Sequence, residues 1–119
     1  MGMVSRINRA LDLDLFELHF EDVVRCSNPG QVVYRELLVR MKDEERPGHL
    51  VPPGLFIPAA ERYFLMGALD RWVINKACEG IARHPTDGVL YAVNVSGLSL
   101  NDENFVNYVL DCFSRHGVA

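Results

Sequence analysis

The sequence predicts an α/β fold with the element order β-β-α-α-β-α. Three observations support this prediction. Two strand-like runs flank a turn signal, a long apolar repeat has helical spacing, and a later apolar run is typical of a strand buried on both faces. Strands and helices that alternate in this way indicate an α/β protein rather than an all-α or all-β one.

The chain begins with a segment, residues 1–14, that we predict to be a helix or linker leading into the domain. The domain itself is then expected to cover residues 15–119. Residues 15–25 and 31–41 mix apolar and polar side chains as strands do, and Asn-Pro-Gly at residues 28–30 is a turn signal. This part of the chain therefore predicts a β-hairpin.

The middle of the chain predicts a loop and two helices. Residues 42–54 are charged and rich in proline and glycine, which favours a loop. A short helix is expected to run to about Phe64, with Pro58 in its first turn because proline's missing N–H has no helical partner there. Apolar side chains recur at helical spacing over residues 65–83 and predict a longer helix, with Trp72 on its buried stripe.

The last third of the chain predicts a strand and a helix. A turn between Pro85 and Gly88 is expected to precede the strand of residues 89–96. Polar side chains appear on that strand only at its C-terminal end. The final helix is expected to be capped by Ser99 or Asn101.

Composition limits the possible functions. The chain is 49% hydrophobic and 24% charged with a net charge of -4, and it has no Lys/Arg run that would indicate a nucleic-acid polymer as partner. No apolar run approaches the ~20 residues of a membrane span. Three widely spaced cysteines argue against a disulfide framework. We expect a cytoplasmic domain, although a parent protein could be membrane-anchored.

Candidate chemistry lies on two of the predicted strands. Glu36 and Arg40 share one face of the second strand, because alternate strand residues point to the same side. Asn94 lies at the C-terminal end of the third strand, where functional residues of α/β folds collect. A carboxylate and an amide oxygen suit Mg²⁺, Mn²⁺ or Ca²⁺, and an arginine suits a phosphate. Taken alone, Glu36 and Arg40 are better explained as a surface charge pair, and Asn94 is explained equally well as a strand-end amide.

Four short motifs follow one another along the chain, and their order and separations can be compared with those of known families. They are Glu36-Leu37-Leu38-Val39-Arg40, Phe56-Ile57-Pro58-Ala59-Ala60-Glu61, Asp70-Arg71-Trp72-Val73 and Asn94-Val95-Ser96-Gly97-Leu98-Ser99-Leu100. Together they resemble the first half of an EAL domain, the bacterial cyclic di-GMP phosphodiesterase module used in second-messenger signal transduction. The resemblance covers nearly the whole chain and implies a partial TIM-like barrel whose first strand is antiparallel to the second.

The resemblance also implies roles for individual residues. EAL enzymes hydrolyse cyclic di-GMP to linear pGpG with two Mg²⁺ or Mn²⁺ ions. Glu36 and Asn94 look like metal ligands, and Arg40 looks like the arginine that contacts the substrate phosphate. Glu21 stands where the family has a glutamine that helps to hold the nucleotide. Three residues look like part of the wall near a guanine base: Phe56, Ile57 and Pro58.

Two departures from the family pattern bear on function. Glu21-Asp22-Val23 replaces Gln-Pro-Ile, and two acids beside a dianionic ligand should weaken binding unless a cation screens them. The signature reads Glu-Leu-Leu instead of Glu-Ala-Leu, a milder change. The second departure is that the family's later metal ligands and catalytic lysine have no counterpart in these 119 residues. We therefore expect no complete catalytic site here. We also expect that the unclosed sheet edge is covered either by another copy of the chain or by the rest of a longer protein.

Two main hypotheses about function stay open. The chain derives from a cyclic di-GMP phosphodiesterase that carries an upstream sensor or GGDEF domain, and this segment is inactive by itself. Alternatively, it is a degenerate EAL module that acts as a cyclic di-GMP receptor or protein-interaction domain. Glu36, Arg40 and Asn94 favour the first hypothesis, and the acidic pair at residues 21–22 favours the second. An unrelated α/β protein is disfavoured, since four motifs match in register.

Overall fold

The structure is a computed structural model that describes residues 2–83 and 88–118. Its elements are α1 (Met3–Leu13), β1 (Phe16–Arg25), β2 (Asn28–Lys42), β3 (Leu50–Val51), α2 (Pro53–Arg62), α3 (Met66–Arg83), β4 (Leu90–Val93), α4 (Gly97–Leu100) and α5 (Glu103–His116). The predicted α/β class is confirmed. A two-residue strand and a four-residue helix are added to the predicted order.

The sheet is built around β2. Strand β1 runs antiparallel to it and pairs Phe16 with Met41, while β4 runs parallel to it over residues 34–37. The short β3 pairs antiparallel with the end of β2. Within residues 2–83 and 88–118, β1 and β4 each pair with β2 alone, so the sheet does not close. This topology is consistent with the predicted partial barrel.

The hydrophobic core has two parts, and α3 contributes buried residues to both. The first joins α1, α2, α3 and the ends of β1 and β2, and the rings of Phe16 and Phe56 lie 5.7 Å apart within it. Trp72 packs against this cluster, with its ring 5.5 Å from Phe16. The second part joins α3 to α5 through four buried residues: Ile74, Cys78, Phe105 and Cys112. In the described part of the chain, no helix is long and apolar enough to cross a membrane.

Helix α1 is part of the first core cluster. Ile7 and Ala10 are completely buried, and α1 packs against α2 and α3. Residues 1–14 were predicted to lead into a domain that starts at residue 15, and that boundary stays a prediction. The burial of the two side chains shows that the helix is attached to the rest of the fold.

The hairpin turn differs from its prediction. Asn28-Pro29-Gly30 is not the turn but the first part of β2, and the turn consists of Cys26 and Ser27. The cause is a register shift between Val23 and Arg25, which lets β1 continue until Arg25 pairs with Asn28. Proline is tolerated there because the start of a strand needs no N–H in the ladder.

The start of α2 also differs from its prediction. The helix begins at Pro53 rather than close to Pro58, and Pro58 lies in its interior. Pro53 occupies the first helical position, where the fixed φ of proline suits the helix. Pro52 precedes it in an extended conformation.

The caps of the last helices were predicted wrongly. The segment after β4 forms two helices, and neither Ser99 nor Asn101 caps the longer one. Ser96 caps α4 by accepting a hydrogen bond from the N–H of Ser99 at 3.2 Å. Asp102 caps α5 by accepting from the N–H of Asn104 at 2.9 Å. The predicted turn between Pro85 and Gly88 lies mostly outside the described residues.

Candidate functional site

Two of the predicted site residues meet at the end of β4. Glu36 of β2 pairs with Ala92 of β4, and Asn94 lies two residues further along, just after the strand ends. The side-chain amide of Asn94 donates a hydrogen bond from Nδ2 to Oε1 of Glu36 at 3.1 Å. The parallel pairing thus joins two polar groups that are 58 residues apart in the sequence.

The same face of the sheet carries further charges from β1. Glu21 lies directly opposite Glu36, and Glu17 lies directly opposite Arg40. Opposed side chains of an antiparallel pair have Cβ atoms about 4.5–5.5 Å apart, so two like charges in that position repel each other. This face therefore presents an acidic pair beside the Asn94 amide, and a cation placed there would relieve the repulsion.

Arg40 is partly buried close to these acids. Its Nη1 donates to the backbone oxygen of Val39 at 2.8 Å. Among the ion pairs of the described residues, none includes Arg40 or Glu36. The remaining donors of the guanidinium are thus not engaged by a carboxylate, which leaves them for an oxyanion.

A cavity of about 320 Å³ lies beside these residues, between the end of β2, helices α2 and α3, and the segment after β4. Arg40, Ile57 and Asn94 line it, and the hydrogen bond from Asn94 connects it to Glu36. A larger cavity of about 700 Å³ lies elsewhere, between α3 and β1, and none of the predicted site residues lines it. The chemistry of the side chains, rather than cavity size, therefore selects the smaller cavity as the candidate site.

The three residues predicted to form a wall near a guanine base are separated by the structure. Phe56 is completely buried in the core and is not among the residues that line the cavity, so its place near a guanine base stays a prediction. Ile57 lines the cavity, whereas Pro58 is exposed and is not one of the lining residues. The reason is helical geometry, because consecutive helix residues point about 100° apart and cannot all face one cavity.

The donors at this site fit part of a shell for a hard divalent cation. Glu36 supplies carboxylate oxygens, and Asn94 can supply its amide oxygen if the amide turns from the orientation that donates to Glu36. Within residues 2–83 and 88–118, no three His, Cys, Asp or Glu side chains are grouped to hold a metal. The two residues can thus contribute ligands, but the described part of the chain does not complete a shell.

Sequence reasoning did not assign a role to Asp70. This residue of α3 is only 3% exposed, and its Oδ2 accepts hydrogen bonds from the backbone N–H of Ser96 and the hydroxyls of Ser96 and Ser99. The sequence feature that could have indicated a role is a carboxylate between Leu69 and Val73, on the buried face of a helix. A charged residue in such a place is rare unless polar groups partner it.

The profile of one protein family, the EAL domain, matches residues 4–119. The chain therefore belongs to the EAL domain family, and the resemblance based on four motifs is confirmed. The partial TIM-like barrel is consistent with this assignment.

Individual relatives show the same relationship. The chain is 39% identical over 116 residues to an uncharacterized protein of Mycobacterium tuberculosis, covering 94% of this chain and 18% of that protein. It is 30% identical over 122 residues to the bifunctional diguanylate cyclase/cyclic di-GMP phosphodiesterase MucR of Pseudomonas aeruginosa. That match covers 99% of this chain and 17% of MucR. A solved structure of the PaMucR phosphodiesterase in complex with c-di-GMP superposes with a TM-score of 0.87 at 26% identity. The superposition covers 99% of this chain and 48% of the solved chain. The chain thus spans less than a fifth of these curated relatives and about half of the solved chain.

Proposed function

We propose that this domain binds cyclic di-GMP on the face of the sheet that carries Glu36, and that it forms part of a cyclic di-GMP phosphodiesterase. The observation that carries the proposal is the contact between Glu36 and Asn94 at the end of β4. The likeness to MucR, which is named as a cyclic di-GMP phosphodiesterase, supports the choice of ligand. We further propose a cytoplasmic location, which suits the three free cysteines.

The residues of the site have separate tasks in this proposal. Glu36 and Asn94 hold Mg²⁺ or Mn²⁺ through oxygen atoms. Bound there, such a metal would supply activation of a water molecule and charge stabilisation at the phosphate oxygens. Arg40 binds a phosphate oxygen with the guanidinium donors that no carboxylate of residues 2–83 and 88–118 occupies, and Ile57 contributes apolar surface to the cavity. Glu21 contacts the nucleotide from β1.

We propose that these 119 residues bind the nucleotide but do not hydrolyse it by themselves. Mg²⁺ takes about six oxygen ligands, and the two-metal arrangement needs two such shells. The described residues offer one carboxylate and one amide in contact with each other. The open sheet and the 48% coverage of the PaMucR structure support the need for further residues.

One observation favours the second candidate function, a receptor or interaction module. Glu21 lies directly opposite Glu36 and adds negative charge beside the place proposed for a dianionic ligand. Repulsion there lowers affinity unless a cation screens it. In this alternative, the parent protein senses cyclic di-GMP without turnover and passes the signal to a neighbouring domain, such as a sensor or diguanylate cyclase domain.

Calorimetric titration of the 119-residue chain with cyclic di-GMP, with and without Mn²⁺, tests the proposal. We expect binding that requires Mn²⁺ and that weakens at least about tenfold in Glu36→Ala, since a lost charge-assisted contact is worth roughly 1.5–3 kcal/mol. Glu45→Ala is the matched control, because Glu45 is exposed in the loop after β2. Equal affinities in these two variants, or no binding to the wild-type chain, would overturn the proposal.

Two further experiments measure the effect of Glu21 on binding and separate the two candidate functions by turnover. Glu21→Gln removes one negative charge without changing the size of the side chain, so we expect tighter nucleotide binding when the substitution is made. Hydrolysis by a longer chain that contains this domain supports the phosphodiesterase. Binding by that longer chain without turnover in Mn²⁺ supports the receptor.

A further inference from the structure

A buried carboxylate that the proposed function does not use lies where α3 faces the end of β4. Asp70 is 3% exposed, yet no ion pair of the described residues includes it. Three donors surround its Oδ2 instead: the Ser96 N–H at 3.2 Å, the Ser96 hydroxyl at 2.7 Å and the Ser99 hydroxyl at 2.7 Å. A buried carboxylate is expensive without partners, and these three bonds are the compensation.

The segment that carries Asn94 is held by the strand ladder on one side, and by Asp70 and the packing of Val95 against the second core cluster on the other. Pairing between β2 and β4 ends with Leu37 and Val93, so the strand ladder does not reach Asn94. Two residues later, Ser96 is fixed to Asp70 by its backbone N–H and its hydroxyl. The exposed Asn94 therefore lies between a strand end and a carboxylate anchor, and the anchor limits the directions in which its side chain can point.

Asp70 is a rigid anchor because its own helix is fixed. The adjacent Leu69 is 1% exposed and belongs to the first core cluster, as does Val73 one turn later. Ser96 also accepts a hydrogen bond from the N–H of Ser99, so α4 begins at the same point. One carboxylate thus sets the distance between α3, the end of β4 and the start of α4.

We propose that Asp70 is a positioning residue that acts through Ser96 to aim the Asn94 side chain at Glu36. The expected effect of Asp70 on metal binding rests on the proposed function, in which Asn94 is a metal ligand. The orientation of the Asn94 side chain depends only on contacts within the chain. It is therefore measurable without nucleotide or metal.

The first test follows the side-chain amide of Asn94 by NMR in the isolated chain, with its signals assigned from their loss in Asn94→Asp. In the wild type, the hydrogen bond to Glu36 should slow exchange of one Nδ2 proton. We expect Asp70→Ala and Ser96→Ala to speed that exchange about fivefold, since a net hydrogen bond is worth roughly 1 kcal/mol. Ser99→Ala should leave it unchanged, because Ser96 keeps its bonds to Asp70.

Two further variants separate positioning from general stability. Ile7→Ala truncates a completely buried side chain of α1, which packs against α2 and α3, so it should lower stability without altering the Asn94 signals. Asp70→Asn keeps an accepting oxygen and should retain most of the wild-type behaviour. Unchanged Asn94 exchange in both Ser96→Ala and a folded Asp70→Ala would show that Asp70 is only structural.

A Mn²⁺ titration of the same variants distinguishes failure of this inference from failure of the proposed function. If the wild type binds Mn²⁺, Asp70→Ala should weaken binding by a factor similar to that of Asn94→Ala. Weakening in Asn94→Ala with none in Asp70→Ala would overturn the positioning role. No Mn²⁺ binding by the wild type would overturn the metal site of the proposed function, and the NMR result would still decide the positioning.

Discussion

At the scale of single residues, Asp14 connects the end of α1 to α3. The indole N–H of Trp72 donates to Oδ1 of Asp14 at 2.9 Å, and Nζ of Lys76 lies 3.3 Å from Oδ2. The hydrogen bond from Trp72 holds the pKa of Asp14 below its ordinary value, and Lys76 lowers that pKa further. Both partners favour the ionised carboxylate.

The substitution Trp72→Phe should raise the pKa of Asp14, because phenylalanine keeps an aromatic ring but lacks the N–H. A depressed folded-state pKa contributes stability that is present above about pH 4 and is lost as the pH falls through the folded-state value. The variant should therefore lose more stability at pH 6 than at pH 2. A carbon-detected NMR titration of the Asp14 carboxyl measures the pKa directly.

Lys76→Gln is the comparison for this titration. Lys76 lowers the pKa of Asp14 through both a hydrogen bond and its charge, so its removal should also raise that pKa. An Asp14 pKa that is the same in Trp72→Phe and in the wild type would contradict the assignment.

At the scale of elements, α1 shows how a lead-in helix becomes part of a domain. Its apolar face buries Ile7 completely, and its polar face forms two ion pairs with the loop after β2. Arg6 lies 3.1 Å from Asp43, and Arg9 lies 2.7 Å from Glu44. The Arg9–Glu44 pair is exposed and contributes little, and the Arg6–Asp43 pair is partly buried. The completely buried apolar contact of Ile7 should dominate the attachment of the helix.

Ile7→Ala should lower the free energy of unfolding by about 2–5 kcal/mol, because it leaves a cavity in the first core cluster. Leu13→Ala in the same helix is the matched control. Leu13 is 51% exposed, and its truncation should change stability by no more than about 0.5 kcal/mol. Urea denaturation of both variants measures the difference, and similar losses in the two would show that α1 is not anchored through Ile7.

At the scale of the whole molecule, the sheet leaves apolar surface uncovered. β4 pairs with β2 on one side, and no described strand pairs with its other edge. Large apolar side chains stay exposed on β4 and on the helices that follow: Leu90, Leu98, Leu100, Val106 and Leu110. Exposed strand edges and apolar patches promote association.

We expect the 119-residue chain to self-associate through this surface in a concentration-dependent manner. Leu90→Lys places a charge on the β4 edge and should shift the population toward the monomer. Leu55→Lys is the control, since Leu55 is also a largely exposed leucine but lies on α2. Light scattering at several concentrations measures the mass, and the mass of a single chain throughout would contradict the expectation.

Strong local patterns made several elements predictable from the sequence. The helix predicted for residues 65–83 is α3, Met66–Arg83, because one apolar stripe determines both its type and its length. The antiparallel hairpin was likewise predictable from two strand-like runs close in sequence. Boundaries were less predictable, because a register shift moved the hairpin turn and competing polar side chains offered several helix caps.

The candidate site, like the fold, has features that the sequence predicted and features that required the structure. By itself, the sequence determined the family and pointed to Glu36, Arg40 and Asn94, because residue types and spacing are local properties. Only the tertiary structure decided that Asn94 touches Glu36, that Phe56 is buried and that Asp70 anchors the segment after β4. Each of these depends on which elements lie side by side. That arrangement is set by strand register and core packing among residues far apart in the chain.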